Sequence, residues 1–203
     1  MKPKLSSLPM LLQVAVLTLI VGCASRSAYV NPQGPDTAVN AGQINIQDFA
    51  AAADTFVNEI LERVSQGQLP SSRPGKPAIM AISRITNKTL QHVDIDQLVK
   101  KIRVQLNRSG RILTTTTLAY GEVEDPLAKQ TQEQLQALGK ADGPLIADYT
   151  LSGSILDDIA RKSRMTTQAS YIFQLSLTDR NGIALWESEY IVTKQGRKAA
   201  VTW

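Results

Sequence analysis

Apolar positions along the chain switch between two periods. Phe49, Ala53, Phe56, Val57, Ile60, Leu61 and Val64 fall on one face of a helix, with Asn45 and Asp48 placed to cap it and Gly67 to stop it. The run "AIMAIS", residues 78–83, has the unbroken apolar character of a short buried strand, and the turn-rich "RITNKTLQHV" follows it. Helical spacing returns at Ile95, Leu98, Val99, Ile102 and Leu106, with Asp94 as N-cap and Gly110 at the end. "RILTTTT", residues 111–117, suits a strand because β-branched side chains fit a pleated surface. Asp125-Pro126 can open a third helix running through Leu138.

From Tyr149 onward the period is two. Tyr149, Leu151, Gly153 and Ile155 share one face against Thr150, Ser152 and Ser154, and Tyr171, Phe173, Leu175 and Leu177 do the same against Gln174, Ser176 and Thr178. Asn181-Gly182 offers two residues that tolerate positive φ for a tight hairpin. The returning strand sets Ala184, Trp186, Tyr190 and Val192 opposite Glu187 and Glu189. Three antiparallel strands with one apolar face need helices on that face, and three helical segments are available. The expected fold is α+β, a mixed sheet with helices packed on one face.

The first residues follow neither period. Lys2 and Lys4 precede the apolar stretch Leu11 to Val21, which has signal-peptide length and is shorter than the ~20 residues of a spanning helix. Cys23, the only cysteine, ends that stretch and has no partner for an internal disulfide or a zinc or redox pair. Ile20-Val21-Gly22-Cys23 resembles a bacterial lipobox, which implies cleavage before Cys23 and lipidation of its sulfur. Several acyl chains anchor stably, at about 0.8 kcal/mol per buried methylene. Ala24 follows where an aspartate would favour inner-membrane retention, so the resemblance implies the periplasmic face of the outer membrane. Residues 24–44, rich in Ala, Ser, Asn, Gly and Pro, read as a flexible tether. The organisation is then a signal peptide at 1–22, a lipidated cysteine and tether at 23–44, and one domain at 45–203.

Composition narrows the function. Removing residues 1–22 takes away Lys2 and Lys4 and no acid, leaving 20 basic against 18 acidic side chains, so the pI near 9.2 owes part of its value to the signal peptide. A near-neutral domain with few aromatics does not read as a nucleic-acid binder. His92, the sole histidine, would need ligands from elsewhere to hold a metal, and the neighbouring Asp94 is accounted for as a helix cap. Glu122, Glu124 and Asp125, or Asp157 and Asp158, could supply an acid and base pair, although such runs are commonly solvated loops. No Gly-rich phosphate loop, nucleophile elbow or zinc motif is present, and neither a cofactor nor enzymatic activity is expected. Two basic groups stand out: Arg161, Lys162 and Arg164 between two strands, and Arg103, Arg108 and Arg111 around the end of the second helix. Each is either solvated surface or a patch that steers an acidic protein partner, and the first is taken as the candidate partner-binding site.

The order of these elements, with Asn87-Lys88-Thr89 after the first strand, the small-residue strand Leu151-Ser152-Gly153-Ser154 and the hairpin leading to Trp186, resembles the LpoB-type lipoproteins that activate penicillin-binding proteins. The likeness covers residues 45 to about 195. It implies a fold like the N-terminal domain of TolB and a periplasmic domain that docks a class A penicillin-binding protein in peptidoglycan synthesis. In place of the long proline-rich linker of the best-known members, this tether has two prolines, Pro32 and Pro35. The alternative is a structural lipoprotein subunit of an envelope assembly or secretion apparatus, which a short tether suits.

Overall fold

The computed structural model describes residues 28–32, 34, 37–119, 125–140, 146–161, 163 and 166–197, with 118, 119, 161 and 197 described by backbone alone. The described residues divide into two units between Thr37 and Ala38. In the first, the Asn31 carbonyl accepts the Gly34 N–H at 2.9 Å and the Thr37 hydroxyl at 2.6 Å. The second contains α1 (Ile46–Ser65), β1 (Ala78–Asn87), α2 (Asp96–Ser109), β2 (Ile112–Ala119), α3 (Pro126–Ala137), β3 (Tyr149–Arg161), β4 (Thr166–Asp179) and β5 (Ala184–Arg197).

The strands form one sheet in the order β2-β1-β3-β4-β5. β1 runs parallel to both β2 and β3, whereas β3, β4 and β5 are antiparallel. Connection length accounts for the mixture, since a parallel pair needs a crossover such as α2 and an antiparallel pair needs only a short turn. The inner face contributes Met80, Ile82, Ile85, Ile112, Leu151, Ile155, Tyr171, Phe173, Leu175, Leu177 and Trp186 to a single core with α1 and α2. Phe49 of α1 meets Phe173 edge-on at 5.8 Å, and Phe56 meets Trp186 at 5.9 Å and 83°. Gly153 lies on this inner face where the backbones close up: a Cβ there would come 2.1 Å from the Gln174 carbonyl oxygen. The small-residue strand is therefore a packing requirement.

Several local expectations change. α3 touches β2 and buries none of its own residues, so two helices cover the sheet and not three. Its half-buried positions are Ala128, Gln132 and Gln136, too polar to compete for the core, and Leu127 and Leu138 stay exposed. β1 continues beyond Ser83 to Asn87 because a register shift between Ile82 and Ile85 brings Ile85 back inward. α2 starts at Asp96, one turn position later than expected, while Asp94 Oδ1 still accepts the Asp96 N–H at 3.1 Å. The hairpin has positive φ only at Gly182, and the Asp179 carboxylate accepts the N–H groups of Asn181 and Ile183 at 2.8 and 2.9 Å, giving a longer turn than a two-residue one. A register shift between Leu177 and Thr178 pairs Ala184 with Thr178 and Trp186 with Leu177, which moves Ala184 off the inner face and exposes it.

Candidate functional site

The expected helix cap opens onto a buried polar cluster. Asn45 and Asp48 form a capping box, the Asn45 N–H donating to Asp48 Oδ2 at 2.7 Å. The same oxygen receives Lys194 Nζ of β5 at 2.6 Å, with both side chains nearly buried. Lys194 also donates to the Gln43 carbonyl and lies 5.1 Å from the Tyr171 ring centroid. Gln91 closes the set: its Oε1 accepts the Ile44 N–H at 3.1 Å, and its Nε2 donates to the Gly42 carbonyl at 3.0 Å and to the Tyr171 hydroxyl at 2.9 Å. Burial raises the Tyr171 pKa, a shift opposed by Gln91 and reinforced by the charges of Asp157 and Asp48. Residues 40–44, read from sequence as the end of a tether, are thus a strap fastened to the domain. At Gly196 a Cβ would stand 2.8 Å from the Ala41 Cβ. An open groove of about 610 Å³ is lined by this strap together with Thr167, Gln195 and Gly196.

A second cluster sits at the other end of the sheet. Asp148, just before β3, accepts the Ile79 N–H at 2.8 Å, the Ser72 N–H at 3.2 Å and Arg180 Nη2 at 2.7 Å. Burial alone would raise its pKa, but the Ser72 and Ile79 hydrogen bonds and the Arg180 charge outweigh that and hold it below the ordinary carboxylate range. Arg180 further donates to Ser72 Oγ at 2.8 Å and to the carbonyls of Ala147 and Ile146 at 3.0 and 3.3 Å. Tyr149 donates to the Pro70 carbonyl at 2.6 Å, and its pKa is raised by burial and by the charges of Asp148 and Asp179.

Sequence-predicted residues distribute unevenly over this frame. Cys23, Lys162 and Arg164 lie outside the described residues, and Arg161 is the last residue of β3, opposite Thr167. The other basic group divides: Arg103 is buried and donates Nε to Thr114 Oγ1 at 3.3 Å, whereas Arg108 and Arg111 are exposed. Burial lowers the Arg103 pKa. Asp157 and Asp158 point to opposite faces of β3 as strand neighbours do, so they do not converge as an acid and base pair. Asp125 caps α3 through the Ala128 N–H at 3.0 Å, and Glu122 and Glu124 lie outside the described residues. His92 is exposed, and no three metal-ligating side chains converge among the described residues.

Asn87 holds its turn together, accepting the Thr89 N–H at 2.9 Å and donating to the Gln91 carbonyl at 2.7 Å. Trp186 is buried and donates to Glu59 Oε2 at 3.0 Å. Sequence reasoning missed both polar clusters. Lys194 had a legible signal, a charge on the inward parity of an alternating strand; Asp148 had none, because its partners come from distant segments. Among the described residues no buried side-chain N or O lacks a partner, and no helix is long and apolar enough to cross a membrane. These polar groups hold segments together and leave the unit its surfaces for binding.

The C-terminal domain of LpoB from Salmonella enterica is similar at 14% identity, covering 71% of this chain and 98% of that one, with a TM-score of 0.42. The domain from Escherichia coli gives 15%, the same coverage and the same TM-score. Lipoprotein GNA1162 from Neisseria meningitidis gives 14% identity over 62% of this chain and 88% of that one, with a TM-score of 0.35. No residue role is carried over at these values. No curated protein matches. The family model described as the peptidoglycan-synthase activator LpoB matches residues 48–192, from the first turn of α1 into β5, and the chain therefore belongs to the LpoB family.

Proposed function

We propose that this chain is a lipid-anchored protein of the outer membrane whose folded unit docks a class A penicillin-binding protein and raises its activity without chemistry of its own. The observation that carries the reading is the family match, which spans both helices of the core and the sheet from β1 to β5. The lipobox ending at Cys23 supports the anchor, and Ala24 supports the outer membrane. An activator of this kind acts by binding better to the active form of its enzyme than to the inactive one, so its structure needs a rigid docking surface and no catalytic group. The two satisfied polar clusters, which fasten the strap and the β4–β5 turn, support such rigidity.

Crosslinking in intact cells, followed by identification of the captured protein, tests this function. Capture of a class A cell-wall synthase is the expected result. Capture only of further copies of the chain, or of secretion components, would overturn it in favour of an assembly subunit.

A further inference from the structure

One end of the sheet concentrates positive charge. Ala78 of β1 pairs with Ile112 of β2, so Lys76 and Arg111, just before those strands, flank the same end, and Arg108 occupies the last turn of α2 beside them. Lys76, Arg108 and Arg111 are exposed, and none has an ion-pair partner among the described residues. β4 finishes at this end too. Arg180 follows it, fixed by Asp148, with Ile146 57% and Ile183 58% exposed on the adjoining segments. Three strand spacings separate β2 from β4, about 14 Å, so the basic side chains and the isoleucines fit within one protein contact. A guanidinium beside apolar side chains has the composition of an interface hot spot, and one already held by a carboxylate loses less side-chain freedom on docking.

The strap is an independent second observation. Chain leading back to Cys23 leaves the folded unit at Ala38–Gly42, packed near Thr167, Gln195 and Gly196, where β5 finishes and β4 begins. That is the opposite end of the sheet. An anchor at Cys23 therefore attaches to the end remote from the basic rim.

We infer that the rim formed by Lys76, Arg108, Arg111 and Arg180 with Ile146 and Ile183 is the surface that docks the cell-wall synthase, against an acidic face of that enzyme. The inference rests on the activator reading and names its surface. Polarity within the same end sets the orientation: Glu59, Glu62 and Glu187 outnumber Arg63 on the α1 and β5 side, so an acidic partner is drawn to the β1–β2 side in preference to that one.

The test uses the mature lipoprotein in detergent and a purified class A synthase of the host, with association and dissociation rates measured at two salt concentrations. Reversing Lys76, Arg108 and Arg111 to Glu together should slow association about tenfold at 0.01 M salt and less at 0.1 M, because the Debye length shortens from about 30 to about 10 Å. Ile183→Ser should instead speed dissociation about tenfold. Reversing Arg161, Lys162 and Arg164, a set of equal charge that includes the strap end of β3, should leave association within about twofold. If the triple reversal perturbs the fold, the neutral variants Arg108→Gln and Arg111→Gln provide the same comparison with a smaller slowing. Binding indifferent to every rim variant but slowed by the Arg161 set would overturn the surface while leaving the function. Absence of binding by the parent chain would overturn both.

Discussion

Asp148 is buried at the meeting point of the loop before β1, the start of β3 and the turn after β4, so its ionisation bears on stability. Its folded pKa is lowered. A lowered carboxylate contributes its full stability above its unfolded value, near pH 4, and loses that contribution as pH falls through the folded value. Asp148→Asn should destabilise the unit by about 3 kcal/mol at pH 7, leaving Arg180 and two N–H donors poorly matched. Thermal melts as a function of pH should then show a Tm about 6 to 12 °C lower and a flatter acid limb than the parent. Trp186 makes a different case. Its alternation with Glu187 was enough to place it in the core, and Trp186→Ala should cost about 3 to 5 kcal/mol by denaturant titration. Periodicity marks a residue that packs; a polar residue buried by distant partners leaves no trace in its neighbourhood, which is why Trp186 was legible and Asp148 was not.

At the scale of elements, both helices of the core and all three C-terminal strands were readable because each rests on a repeated spacing, and the mixed character of the sheet because connection lengths decide it. What escaped were places where a strand breaks its own period, as between Ile82 and Ile85 and around Leu185, since a bulge is decided by pairing across strands. The strap escaped for another reason. Residues 40–44 carry tether composition, and Gln91 and Lys194, 49 or more positions beyond Gly42, fasten them through main-chain groups that any sequence would present. Lys194→Met should leave Asp48 buried without its counter-charge and cost about 3 to 5 kcal/mol. Hydrogen exchange gives the specific signature: the Ile44 and Asn45 amides should lose protection in the variant more than the amides in the middle of β4. Uniform loss across the domain would show that the ion pair holds the whole unit and not the strap.

At the scale of the whole molecule, the proposed anchor at Cys23 would limit how far the folded unit travels. With the strap docked, sixteen residues, 24–39, remain between Cys23 and Asn40. A coil of that length reaches about 22 Å and a fully extended chain about 55 Å. Contact with an inner-membrane enzyme then calls for a partner domain that extends outward. Cys23→Ser should leave an uncleaved, unlipidated precursor, seen by mass spectrometry as a chain retaining residues 1–22. Mature, membrane-extracted protein of unchanged mass from that variant would remove the anchor from this account. Whether the chain activates a synthase is independent of reach once both proteins are in solution. The most direct measurement is therefore the rate of glycan polymerisation and crosslinking by a purified class A synthase of the host, with and without the mature chain in detergent. A saturable rise in rate at micromolar chain, diminished by the Lys76, Arg108 and Arg111 reversal, is expected; a rate unchanged by saturating parent chain would show that the chain is not an activator of that enzyme.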